Sequence, residues 1–216
     1  MKILLATTNP HKIEEVRALM PSDGIVWLTL NDLDQTIPEP VEDADTFEGN
    51  AALKARYYAD HTSLITLADD SGLEVDALEG EPGVRSARYS GKEGPRHVVD
   101  AANNRALLAK MRGKVRRGAR FVCAMALHKP GDDEPWAMVR GTVEGRILAM
   151  SELDPVCPEK GRGTQGFGYD PLFHLDALGQ TTAQLDPDHK NRISHRGNAA
   201  RDMWRQLRLL IQSESQ

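Results

Sequence analysis

The 216-residue chain has two cysteines, Cys123 and Cys157, with no C-x-x-C pair and no histidines at metal-ligand spacing. That excludes a disulfide framework and a structural zinc site, and predicts two buried thiols in the reducing cytoplasm. Long apolar runs are missing as well. Nothing approaches the roughly 18 residues of a membrane span, mean hydropathy is −0.48, and the run Ile3–Ala6 after Met1-Lys2 is too short for an export leader. Positive charge is not in excess: 27 basic against 32 acidic residues leaves −5, which argues against duplex nucleic acid or an anionic membrane as the main partner. Aromatics are only 5% of the chain, and none lies between the cations Lys110, Arg112, Lys114, Arg116, Arg117 and Arg120, so that run reads as a solvated loop.

What is present is an alternation of short apolar runs and amphipathic stretches. Lys2–Thr8 reads as a buried strand, Asn9 as the cap of a helix opened by Pro10, and Ile13, Val16 and Met20 as its inner face. A second strand fits Ile25–Leu30, and Asn31–Asp45 is a Pro- and acid-rich loop. Thr46 caps a helix running to about Asp60, and Ser63–Ala68 is a third strand ending at Asp69-Asp70-Ser71-Gly72. Val98 to Met111 traces a helix, Phe121–Leu127 and Trp136–Ile147 flank the turn Pro130-Gly131-Asp132-Asp133, and Ala199 to Leu210 marks a last helix. The pattern predicts one α/β domain over residues 1–216, a mixed sheet with flanking helices, in two lobes around a central substrate cleft.

Four polar clusters sit at the ends of these elements. In Thr7-Thr8-Asn9-Pro10-His11-Lys12 a strand turns directly into a helix N-terminus, which aims backbone N–H groups and a positive dipole outward and suits phosphate, with Lys12 as a point charge. Asp69-Asp70-Ser71-Gly72 delivers two adjacent carboxylates from a strand; side chains alternate there, so only one is expected to hold a metal, with Glu42 as a second hard oxygen ligand for Mg²⁺. Phe167-Gly168-Tyr169-Asp170-Pro171 offers an aromatic face for a base and a carboxylate for its polar edge. Lys190 and Ser194-His195-Arg196-Gly197, with Lys12 and Lys54, supply the cations that a triphosphate site needs in an acidic protein. Gly161-Arg-Gly163-Thr-Gln-Gly166 matches a dinucleotide fingerprint in letters only, since Pro158-Glu-Lys160 before it is no strand.

Taken in order along the chain, Thr-x-Asn-x-x-Lys, Asp-Asp-Ser-Gly, Ala-Arg-Tyr-Ser-Gly at 87–91, Phe-Gly-Tyr-Asp-Pro and Ser-His-Arg-Gly resemble the inosine triphosphate pyrophosphatase, or Ham1-like, family. The resemblance runs from Lys2 to the last helix. It implies a homodimeric, Mg²⁺-dependent hydrolase of the bacterial XTP/dITP diphosphatase type, cleaving ITP, dITP and XTP to monophosphate and pyrophosphate. It further implies that Thr7, Thr8, Asn9, Pro10, His11, Lys12 and Lys54 grip the phosphates, that Asp70 is the acid/base and metal residue with Glu42 beside it, and that Ser71 touches substrate. Phe167 would stack on the purine, within the stretch Phe167, Gly168, Tyr169 and Asp170, while Asp170, Lys190, His195 and Arg196 would line the base pocket. The chain departs at one place: where many relatives have Phe-x-Glu-Asn-Ala, it has Phe47-Glu48-Gly49-Asn50-Ala51. Two rival readings are a Maf-like enzyme for modified pyrimidine nucleotides and a non-catalytic nucleotide- or RNA-binding module using Arg112 to Arg120.

Overall fold

The structure is a computed structural model that describes residues 1–22 and 24–214, without the side chains of 213 and 214. Asn9 Oδ1 accepts the His11 N–H at 3.1 Å and Pro10 occupies the first turn, so strand β1 (Lys2–Leu5) passes within a few residues into helix α1 (Pro10–Leu19). After β2 (Val26–Thr29), the Thr46 hydroxyl accepts the Gly49 N–H at 3.0 Å and starts α2 (Phe47–Thr62). Then come β3 (Ile65–Val75), α3 (Arg96–Lys110), β4 (Gly118–His128), β5 (Ala137–Ile147), β6 (Phe173–Leu175), β7 (Gln180–Thr181), α4 (Pro187–Ile193) and α5 (His195–Glu214). The seven strands form one sheet in the order β2-β1-β3-β4-β5-β6-β7. β1 runs parallel to β2 and β3, while β5, β6 and β7 are antiparallel in succession, so the sheet is mixed as the sequence predicts.

The chain divides into two compact units, each with its own core. The first comprises Met1–Ser71, Cys123–Thr142 and the chain from Ser194 onward; Ile3, Leu5, Val16, Met20, Leu67, Met125, Met203 and Leu207 fill it, with α1 packed on α5. The second comprises Gly72–Val122 and Val143–Ile193; the apolar stripe of α3, Leu107, Leu108 and Met111, meets Leu73, Val75, Ile147 and the tilted pair Phe121 and Phe173, whose rings lie 4.4 Å apart. Burying such aliphatic side chains contributes about 1.5–3 kcal/mol each.

Two features differ from the sequence reading. The third strand does not stop at Asp69: β3 continues through Asp70, Ser71 and Gly72 to Val75, so residues with turn chemistry lie inside a strand. The close approach at Gly72 shows why the glycine is there, since a Cβ on it would stand 2.7 Å from the Gly83 carbonyl oxygen and 2.3 Å from Ser86 Oγ. The short elements β6, β7 and α4, of two to seven residues, carry too little periodicity to be read in advance.

Within the first unit, α5 begins where Ser194 Oγ accepts the Gly197 N–H at 3.0 Å. Its first turn seats directly on β5: a Cβ at Gly141 would lie 2.2 Å from the His195 carbonyl oxygen and 2.4 Å from the Ala199 nitrogen. Among the described residues no helix is long and apolar enough to cross a membrane.

Candidate active site

Because strand side chains alternate, Asp69 and Asp70 leave β3 on opposite faces and enter different surroundings. Asp69 meets α1 and α5. Its Oδ2 lies 3.0 Å from Lys12 Nζ and 3.3 Å from Arg196 Nη2. The same Arg196 nitrogen donates to Ser71 Oγ at 2.8 Å, and Nη1 pairs with Glu15. Burial raises the Asp69 carboxyl, but Lys12, Arg196 and Lys54 outweigh it and hold the group far below the usual carboxylate range. A cavity beside Asp69 is lined by Thr7 and Lys12 above Leu5, Val16, Leu67 and Met125. The turn before α1 is held by its own side chains: Thr7 Oγ1 accepts the Asn9 N–H at 3.2 Å, and Thr8 Oγ1 donates to Glu39 Oε1 of the acidic loop at 3.0 Å.

Asp70 meets α2. Asn50 Nδ2 donates to its Oδ2 at 3.0 Å, and the Ser71 N–H donates to its Oδ1 at 2.9 Å. Lys54 donates to the Asp69 carbonyl oxygen at 3.0 Å and pairs with Glu42 at 2.7 Å. Burial lifts the Asp70 carboxyl above its ordinary value, and the Glu42 charge adds to the lift, against the opposing pull of Lys54, Asn50 and Lys12. Burial lowers Lys54, yet the charges of Asp69, Glu42 and Asp70 leave it raised and therefore cationic. Asn50 belongs to none of the four polar clusters; its signal in the sequence is a polar residue on the inner face of an amphipathic helix, where it is fully buried. Beside it, Gly49 lets the acidic loop approach: a Cβ there would lie 2.8 Å from Ala44 Cβ.

The carboxylates present could hold a hard divalent cation. Among the described residues no group of three or more His, Cys, Asp or Glu could cage a metal. Glu42 and Asp70 are two hard carboxylates beside one lysine, and Mg²⁺ is commonly held by one or two carboxylates with substrate phosphates and waters completing the shell. Glu42 and Asp70 therefore fit a metal that arrives with a phosphate ligand.

In the second unit, Asp170 accepts from the Phe167 N–H at 2.9 Å, from Lys190 Nζ at 2.8 Å and from the Thr182 hydroxyl at 2.8 Å. Gly166 makes that turn possible, with φ of +77° and a Cβ position only 2.1 Å from Asp170 Oδ2. Phe167 is half-buried, with Lys190 Nζ 5.3 Å and Arg96 Cζ 5.5 Å from its ring centre. The structure thus brings Phe167, Gly168, Asp170 and Lys190 together. Tyr169 is in the same stretch but turns into the core, where its hydroxyl donates to the Ser86 carbonyl at 2.9 Å and burial drives its pKa well up. His195 and Arg196, both buried, belong to the other unit, where Arg196 joins Lys12 and Asp69. Pro10 and His11 are exposed at the start of α1.

Residues 3–206 match the profile of the Ham1 family. The chain is 45% identical over 210 residues to a dITP/XTP pyrophosphatase of Lactobacillus acidophilus, covering 95% of this chain and 96% of that protein. It is 42% identical over 209 residues to a protein of the same name from Thioalkalivibrio sulfidiphilus, covering 96% and 98%. Among solved structures, a HAM1 protein from Coxiella burnetii superposes with a TM-score of 0.83 at 36% identity, over 96% of this chain and 98% of that one. The nucleoside-triphosphatase, dITP/XTP pyrophosphatase, of Mycobacterium abscessus gives 0.72 at 41% identity, over 94% and 98%.

Proposed function

The chain belongs to the Ham1 family, and from that premise we propose that it hydrolyses ITP, dITP and XTP to the nucleoside monophosphate and pyrophosphate. The observation that carries the reading is the pair of opposed faces on β3. Asp69 gathers Lys12 and Arg196, while Asp70 stands with Asn50 in surroundings shared with Lys54 and Glu42, so cations for a polyphosphate and a carboxylate with raised proton affinity flank one strand.

In the reaction a water oxygen attacks the α-phosphorus and the bond to the α,β-bridging oxygen breaks, releasing pyrophosphate. Asp70 takes the proton of the attacking water. Lys12 and Lys54 neutralise the charge that builds on the phosphates, in a site where they are already oriented by Asp69 and Glu42. Glu42 and Asp70 would hold Mg²⁺, which when bound screens phosphate charge and polarises the phosphoryl oxygens. Thr7, Thr8, Asn9, Pro10, His11 and Ser71 line the phosphate side, and Arg196 with His195 supports them from the first turn of α5. Phe167, Gly168, Asp170 and Lys190 take the purine, with Tyr169 anchoring their loop. Residues 1–216 serve this single activity, as a homodimer in the cytoplasm, acting on free nucleotides and not on nucleic acid.

Phosphorus NMR of reactions with dITP, XTP and ATP in Mg²⁺ tests the proposal. The expected products from dITP and XTP are pyrophosphate and the monophosphate, with ATP turned over far more slowly. Formation of the nucleoside diphosphate and orthophosphate would place attack at the γ-phosphorus and overturn the mechanism. Light scattering of the purified protein checks the dimer.

A further inference from the structure

Helix α3 presents Arg96, Asp100 and Asn104 at intervals of four residues, and hence on one face. All three reach the segment that carries Phe167, and all the groups concerned lie in the second unit. Asp100 Oδ2 accepts the Gly168 N–H at 3.0 Å. Asn104 Nδ2 donates to the Gly168 carbonyl oxygen at 3.2 Å, and to the Glu159 carbonyl at 3.1 Å. Both polar groups of one glycine are therefore held by side chains one helical turn apart. Gly168 has φ of +61°, a left-handed conformation that glycine adopts without steric cost. The other oxygen of Asp100 accepts from Arg96 Nε at 2.9 Å, and the Arg96 guanidinium lies over the Phe167 ring. Asn104 is only 4% exposed, so its amide nitrogen is committed to this segment and not to solvent.

This clamp is more than turn decoration. The Phe167 N–H is held from the other side by Asp170, so the peptides on both sides of the Phe167 Cα are fixed, one by Asp170 and one by α3. A ring whose flanking peptides are both pinned has little freedom to tilt, and stacking on a planar base depends on ring orientation. We propose that Asp100 and Asn104 are positioning residues for purine recognition: they hold Gly168 so that Phe167 presents a fixed face to the base, with Arg96 carried by Asp100 as the cation over that ring. This inference rests on the functional reading above.

The test compares substrates with and without a base. Asp100→Ala and Asn104→Ala are expected to raise KM for dITP about tenfold, the order of effect of one base–aromatic stack. kcat should change little, and inhibition by inorganic triphosphate, which has no base, should keep its wild-type constant. Asp100→Asn, which retains an acceptor for the Gly168 N–H, should restore most of the KM. Asp100 is partly exposed, unlike buried Asn104, so its variants decide the matter if Asn104→Ala does not fold. An unchanged dITP KM in folded variants would overturn the proposal, as would a rise in the triphosphate inhibition constant equal to the rise in KM. If the wild-type protein releases no pyrophosphate from dITP, the functional reading falls and takes this inference with it; if it does and the variants match it, only the clamp is refuted.

Discussion

Asn50 Nδ2 donates to Asp70 Oδ2 at 3.0 Å while Asn50 Oδ1 accepts the Ala44 N–H at 3.0 Å, so one buried amide holds both the carboxylate in β3 and the loop that bears Glu42. Neither bond has water as an easy substitute, because Asn50 is wholly enclosed.

Removing that amide should therefore disorganise two candidate metal ligands at once. Asn50→Ala is expected to lower kcat/KM for dITP by about 10–100-fold, the usual effect of losing a partner that orients a ligating group. It should also weaken Mn²⁺ binding, read by electron paramagnetic resonance in the presence of a non-hydrolysable triphosphate analogue. Wild-type Mn²⁺ affinity together with wild-type turnover would show that Asp70 and Glu42 hold their places without Asn50.

Arg196 has its two terminal nitrogens on Glu15, Asp69 and Ser71. Arg196→Ala would take one cation from buried Asp69, which keeps Lys12 at 3.0 Å, and the guanidinium from part-buried Glu15, so the cost should fall below the about 3–5 kcal/mol of stripping a buried charge of its whole partner. The expected result is an urea midpoint well below wild type and a fall in kcat/KM of similar factor for dITP and ATP. A collapse of the dITP to ATP ratio would show instead that Arg196 reads the 6-keto oxygen of the base.

Gly141 lies against the backbone of α5, which cannot yield as a flexible side chain can. Gly141→Ala should cost about 1–3 kcal/mol through overpacking, and activity should fall with it because the first turn of α5 carries His195 and Arg196. Thermal melts and initial rates on the same preparation check both; full activity at an unchanged melting temperature would mean that β5 and α5 separate readily.

Glu152 lies far from this chemistry in sequence and offers a pH test of its own. Arg146 donates to both of its oxygens at 2.7 and 2.9 Å, and these bonds above all hold its carboxyl at about 2, against an ordinary value of 4.5. A carboxyl with a depressed folded pKa stabilises the native state fully above its unfolded value and loses that contribution as pH falls. Stability should therefore decline from about pH 4.5 toward pH 2 through this group. Glu152→Gln should flatten that part of the urea-stability profile, and added salt should shrink the difference, since the pair is about a quarter exposed. Identical slopes for the two proteins would refute the assignment.

The order of strands and long helices was legible because each carries its own local signal. Asn9-Pro10 and Thr46 announce α1 and α2 by capping, and Leu107, Leu108 and Met111 mark the buried face of α3. Asp69 to Gly72 misled as a strand end, because Asp, Ser and Gly are turn formers by local preference, and only contacts distant in sequence keep them extended: Lys12, Arg196, Asn50 and Ser86. Of the candidate site, the charged and aromatic residues that the structure gathers, such as Lys12 with Asp69 and Lys190 with Asp170, were visible by type. The amides Asn50 and Asn104 were not, since their importance lies in which carbonyls and carboxylates the fold brings within 3.2 Å, and spacing along the chain does not encode that. Tyr169 shows the reverse case: its place in a motif suggested substrate, while its ring serves the core.

The two cysteines differ in a way that turns the molecule into its own probe. Cys123 is sealed in the core of the first unit with its sulfur 3.8 Å from Asp69, and burial, helped by that negative charge, pushes its pKa up to about 12. Cys157 is only half-buried. A thiol reagent at neutral pH meets one sulfur at the surface and another that stays a protonated thiol until the β-strand around it opens, so the slow phase of labelling times the opening of the strands beneath the charge cluster. Anything that tightens that cluster, a bound polyphosphate included, will lengthen the interval before the second sulfur reacts.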